Sequence, residues 1–230
     1  MKIGVLLVTA AMAIGSLTGE PVPGPIPEPA PGIELSQKME AWKEEEKQEE
    51  EAREARREEL ARMPEKDETG DLYLMGLARA SEEEMTEYLL SVYPDAPEEV
   101  RELPGIYLEE GERLGIRGDI AFAQSLLETG NFQYHGSAVT PDQHNYCGHA
   151  VTRNGMKGTS FDTAREGVRA QIQHLYAYAT DAPLPEGEEI LDTRFELVQR
   201  GCAPTLDGLS HHWAAGGEYG DHIKMILERF

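Results

Sequence analysis

The chain has 230 residues, enough for one domain of ordinary size with appendages, or two small ones. Asp and Glu number 43 against 21 Lys and Arg, a net charge of −22, which excludes a nucleic-acid backbone as the main partner and a polybasic role at a membrane surface. The 2 cysteines, Cys147 and Cys202, are too few for a disulfide scaffold and lack the spacing of a zinc or redox motif.

Residues 1–20 open with Lys2 and an apolar run from Ile3 to Gly15. The run has the length of a secretory apolar core and is too short for an ordinary membrane span, so a signal peptide or signal anchor is expected. Residues 21–33 carry a proline at about every second position and read as a semi-rigid polyproline II linker. Residues 34–70 are dominated by Glu, Lys, Arg, Gln and Ala, with pairs such as Glu49/Arg53 and Glu58/Arg62 four apart. Apolar residues cluster at Leu35, Met39 and Trp42 and then stop, which leaves no heptad seam. A long, solvent-exposed charged helix is expected there.

Residues 71–230 read as the folded domain. Ser81-Glu-Glu-Glu84 is a capping box ahead of Met85, Tyr88, Leu89 and Val92 at helical spacing. A second helix starts near Pro104, with Tyr107, Gly111 and Leu114 on one stripe. Asp119 is placed to cap a third, which runs to Glu128 and Thr129 and stops at Gly130. Asn154-Gly155 between two short segments predicts a β-hairpin. Thr163-Ala-Arg-Glu166 opens a helix with Val168, Ile172, Leu175, Tyr176 and Ala179 on one face. Two shorter helices are expected near Arg194–Arg200 and Tyr219–Phe230. The fold class is therefore α+β and predominantly helical, with a small hairpin lobe.

Glu128 is the first candidate for chemistry. Ile120, Ala123 and Leu127 form the apolar stripe of its helix, while Ala121, Gln124, Ser125 and Glu128 form a small, polar one, as a cleft wall would. In the last helical turn, the negative end of the macrodipole and partial burial both disfavour a carboxylate, so its pKa should rise. A carboxylic acid kept protonated near neutral pH is what a glycosidic leaving oxygen needs. An ordinary surface Glu at a helix end fits the same residues, and both readings stand on physics alone.

The stretch Ala121-Phe-Ala-Gln-Ser-Leu-Leu-Glu128-Thr-Gly-Asn-Phe132 resembles the A-x-x-A-x-x-E-S/T-G signature of the glucosaminidase family, the bacterial peptidoglycan endo-β-N-acetylglucosaminidases (glycoside hydrolase family 73). His144-Asn-Tyr-Cys-Gly148 resembles its N-N-x-F-G segment, and Ser160-Phe-Asp162 its aromatic-Asp element. Trp213-Ala-Ala-Gly-Gly-Glu-Tyr219-Gly-Asp-His-Ile223 resembles its closing Y-A-T-D-P-x-Y motif. The four segments stand in family order from about Leu103 to Phe230. The resemblance implies a lysozyme-like fold, Glu128 as general acid and a catalytic role for Tyr219. It also implies substrate contacts from Gln124, Asn145, Tyr146 and Asp162.

The resemblance further implies peptidoglycan glycan strands as the partner, no cofactor, and a secreted or cell-envelope location with a possible membrane tether through residues 1–20. A monomer is expected. Some family members carry a second carboxylate on the hairpin, but here no Asp or Glu occurs between Gln143 and Phe161. Asp142, Asp162 or the substrate's own acetamido group are the remaining choices. The seven histidines show no metal-binding spacing, so no metal site is expected. Cys147 is either a packed thiol or, in an exported chain, the partner of Cys202. A lytic transglycosylase on the same fold and a non-catalytic wall-binding module are the alternatives to a hydrolase.

Overall fold

The computed structural model describes residues 31–151, 157–214 and 216–230. The chain divides into two units, residues 1–48 and 49–230. In the first, the described part belongs to α1 (Pro31–Ala61), where Leu35, Met39 and Trp42 are exposed. Among the described residues no helix is long and apolar enough to cross a membrane.

The second unit takes in the last turns of α1. Here the expectation of a helix solvated along its whole length fails, because Leu60 is only 2% exposed. Arg53 and Arg57 also reach the carboxylate of Glu112 at 3.7 and 3.8 Å. Seven more helices follow: α2 (Glu82–Val92), α3 (Glu98–Arg101), α4 (Leu103–Leu114), α5 (Gly118–Thr129), α6 (Ala164–Ala179), α7 (Leu206–His212) and α8 (Tyr219–Leu227). The helical character read from the sequence is what the structure has. Among the described residues the only β pairings are three isolated antiparallel bridges, at Lys66–Leu72, Tyr73–Thr205 and Met75–Ile116. The expected hairpin turn lies within residues 152–156, outside the described residues.

Helix α5 is the axis of the unit and packs on α4, α6 and α8. Its sequence is apolar or small on nearly every face, so it is buried all round, with Ile120, Phe122 and Leu126 at 1% exposure or less. Each such side chain contributes roughly 1.5–3 kcal/mol. Helices α4 and α5 meet at two glycines: a Cβ on Gly118 would overlap the Tyr107 carbonyl, and one on Gly111 would lie 2.6 Å from that of Ile116. Gly130 adopts the left-handed conformation that ends α5 (φ 60°). The Ser81 capping box forms as expected.

Asp119 departs from its expected role. Arg117 stands at the cap position of α5, and the Asp119 carboxylate instead accepts the Arg79 backbone N–H (2.9 Å) and pairs with the Arg117 guanidinium (2.7 Å). The expected helix at Arg194–Arg200 is only a 3-10 turn, Phe195–Leu197.

Glu110 fixes α4 to α6. It is 2% exposed and bonds Arg113 (3.0 Å), Arg165 (3.0 Å) and Arg169 (2.9 and 3.0 Å). Burial pushes its pKa up, but these guanidiniums outweigh burial and hold it below the usual range. A depressed folded-state pKa stabilises the fold above the unfolded value and loses that contribution as pH falls through the folded one. Glu110→Gln should cost about 2 kcal/mol at neutral pH. Denaturant titrations should show the gap from wild type narrowing below about pH 4.

Candidate active site

Glu128 sits in the last turn of α5, half-buried, at the wall of a cavity of about 440 Å³. Cys147, His149, His174, Tyr178 and Trp213 share that wall. Its Oε1 accepts two hydrogen bonds, from the Tyr219 hydroxyl at 2.5 Å and from Trp213 Nε1 at 3.1 Å. Burial raises the Glu128 pKa from its usual value, and the two donors offset part of that rise. Burial also pushes the Tyr219 phenol well up, so it remains a donor.

Behind Tyr219 runs a buried polar chain. Gln124 Nε2 donates to the Tyr219 hydroxyl at 3.0 Å, and Gln124 Oε1 accepts from Gln171 Nε2 at 2.8 Å. Gln171 Oε1 in turn accepts from the Tyr107 hydroxyl at 2.7 Å and Ser125 Oγ at 2.9 Å. Every member is satisfied inside the core, which fixes Tyr219, and through it Glu128, in one orientation.

The other expected site residues are placed differently. Gln124 is fully buried and supports Tyr219 from inside instead of facing the cavity. Asn145 is also fully buried: it donates to the His149 and Thr159 carbonyls and accepts the His149 N–H, a staple across the loop. Tyr146 is 4% exposed and packs edge-on against Tyr107 and Phe132. Asp162 is exposed and does not line the cavity, and the cap of α6 is Thr163. Asp142 is exposed in the 3-10 turn Pro141–Gln143 and also lies off the cavity. Cys147 and Cys202 are free thiols, so the alternative of a packed Cys147 is the one the structure shows.

The sequence alone does not single out Trp213, His174 or Asp192. Asp192 is 2% exposed; it accepts from His174 Nδ1 at 2.7 Å and the Arg194 backbone N–H at 2.7 Å, with His149 Nε2 at 2.8 Å. The ligating atoms of these two imidazoles and the carboxylate lie within 4.8 Å of one another, the composition of a metal-ligand set. The N···O separations are those of imidazole N–H groups donating to a carboxylate, so the cluster is a hydrogen-bonded fork. These donors overcome burial and hold the Asp192 pKa down at about 2. The signal for His174 in the sequence is its place among polar residues, Gln171 and Gln173, in a helix otherwise rich in apolar side chains.

A protonatable carboxyl set into an open cleft on a helical scaffold is the equipment of acid-catalysed glycoside cleavage. The chain belongs to the glucosaminidase family, whose sequence model, described as mannosyl-glycoprotein endo-β-N-acetylglucosaminidase, matches residues 105–230. An uncharacterized protein of Borreliella burgdorferi is 36% identical over 156 residues, which cover 67% of this chain and 75% of that protein. No solved structure matches. Membership implies a glycoside hydrolase with peptidoglycan as its substrate, and so an extracellular or cell-wall location.

Proposed function

We propose that this protein is an exported endo-β-N-acetylglucosaminidase that hydrolyses β-1,4 bonds next to N-acetylglucosamine in peptidoglycan. Glu128 is the general acid that protonates the departing glycosidic oxygen. The observation that carries this reading is the Glu128 carboxyl, its pKa raised by burial at the wall of an open cavity and its position fixed by Tyr219 and Trp213. Tyr219 and Trp213 hold the acid and help carry the charge left on it after proton transfer. Residues 1–20 direct export or tether the chain, and residues 21–33 set the enzyme off from the membrane. The apolar run, the prolines and the location of the substrate support that assignment.

The test is digestion of purified peptidoglycan by the full-length protein, with mass analysis of the fragments. Hydrolysis adds one water per bond cut and leaves N-acetylglucosamine at the new reducing end. Anhydro ends without added water identify a transglycosylase. Binding to peptidoglycan without fragment release identifies a wall-binding module.

Trp213→Phe checks the acid from its pH dependence. An acid works only while protonated, so the rate falls as pH rises through its pKa. Removing the indole N–H takes a donor from the carboxylate and raises that pKa. The alkaline limb of kcat/KM should therefore move to higher pH in Trp213→Phe; a move to lower pH contradicts the role given to Glu128.

A further inference from the structure

Glu128 is the only carboxyl group lining its cavity among the described residues, and residues 152–156 and 215 contain no Asp or Glu in the sequence. Hydrolysis by direct displacement needs a second group, one that takes a proton from the attacking water. The other titratable side chains on that wall are Cys147, His149, His174, Tyr178, Arg194 and His212. The thiol of Cys147 and the phenol of Tyr178 are pushed above their usual pKa values by burial, which keeps both protonated. Arg194 has no lone pair to offer. His212 is exposed, with Nδ1 on the Gly208 carbonyl at 2.9 Å, and His149 spends Nε2 on Asp192, with Thr193 Oγ1 at 3.4 Å.

His174 is built differently. It sits on the rigid helix α6, and its Nδ1 donates to the buried Asp192 carboxylate at 2.7 Å. That bond fixes the tautomer, so Nε2 carries the lone pair, and no described residue hydrogen-bonds Nε2. His149 and the Arg194 N–H hold the other oxygen of Asp192, which keeps the carboxylate from turning. The His174 ring packs edge-on against Trp213, with centroids 5.1 Å apart, and the same indole donates to Glu128. One side chain thus touches both groups.

We propose that His174, oriented by Asp192, is the general base of the reaction. The inference rests on the reading of Glu128 as the acid. Water attacks the anomeric carbon and gives one proton to His174 Nε2; the C–O bond to the leaving sugar breaks, and its oxygen takes the Glu128 proton. The imidazolium then releases a proton to solvent and the Glu128 carboxylate regains one, so the net change is addition of one water. Asp192 faces the positive charge that forms on the ring, as in other carboxylate–imidazole pairs. Attack from the face opposite the leaving group inverts the configuration, and a β-linked glycan yields an α-anomer.

The experiment is proton NMR of the first products released from a soluble β-1,4 N-acetylglucosamine oligomer by the full-length protein. The expected product is the α-anomer; a β-anomer or an anhydro sugar overturns the proposal. His174→Gln should lower kcat by about 10²–10⁴-fold with KM little changed. Sodium azide, which needs no base, should restore turnover of this variant as an α-glycosyl azide. Unchanged kcat in a folded His174→Gln overturns the proposal, as does wild-type activity that is lost to a chelator and restored by zinc. If the variant does not fold, the wild-type anomer decides alone. Cleavage that needs Glu128 but gives the β-anomer overturns only the role of His174. A wild-type protein that cleaves no glycan, or a fully active Glu128→Gln, overturns the reading of Glu128 as well.

Discussion

Glu128→Gln should lower kcat by at least about 10³-fold, within the range that general acid catalysis contributes. Glutamine has nearly the same shape, and its carbonyl can accept from both Tyr219 and Trp213, so the variant should fold and bind glycan. It cannot release a proton to a leaving oxygen. No other carboxyl lines the cavity among the described residues to take over the task. Initial rates on glycan oligomers, with binding measured in parallel, check this directly. Activity above a tenth of wild type would remove Glu128 from the mechanism.

The second large effect is on stability. Gly167 lies in the first turn of α6, where a Cβ would overlap the His144 carbonyl oxygen and come within 2.9 Å of its carbon. His144 leads directly into Asn145, Tyr146 and Cys147, all buried. The loop has little freedom to yield. Gly167→Ala should therefore cost about 3 kcal/mol, at the upper end for overpacking. Thermal melts should show a fall of roughly 6–12 °C for a chain of this size. Gly216→Ala is the control: a Cβ there meets nothing within 4 Å, and the melt should stay within about 0.5 kcal/mol of wild type. Equal melting temperatures for the two variants contradict the close approach of α6 to the loop.

What the chain alone reveals follows the reach of each interaction. Helices α2, α4, α5 and α6 are legible because caps and apolar periodicity act within a few residues, as at Ser81 and Gly130. Helix α7 is not: Leu206-Asp-Gly-Leu-Ser-His-His holds weak helix formers, and it forms because Leu206 and Leu209 are wholly buried by distant segments. The same limit governs the site. Glu128 is marked by its own helix, whereas Trp213 and Tyr219 come to it from 85 and 91 residues away. Gln124, Asn145 and Tyr146, expected to contact substrate, are buried here. A polar stripe or a motif names a face, and only the folded chain shows that Gln171, the His149 backbone and the Tyr107 ring cover those residues.

The one-sided bonding of Glu128 settles where its acidic hydrogen can sit. The Trp213 indole can only donate, and the Tyr219 hydroxyl has its acceptor side taken by Gln124, so both present hydrogen to Oε1. A hydrogen on Oε1 would collide with two others, and the neutral acid must carry it on Oε2. Neither bond to Oε1 has to break when that hydrogen departs or returns. In the role proposed for Glu128, the carboxyl can therefore pass through both charge states with its two bonds to Oε1 kept, and the proton leaves from the opposite oxygen.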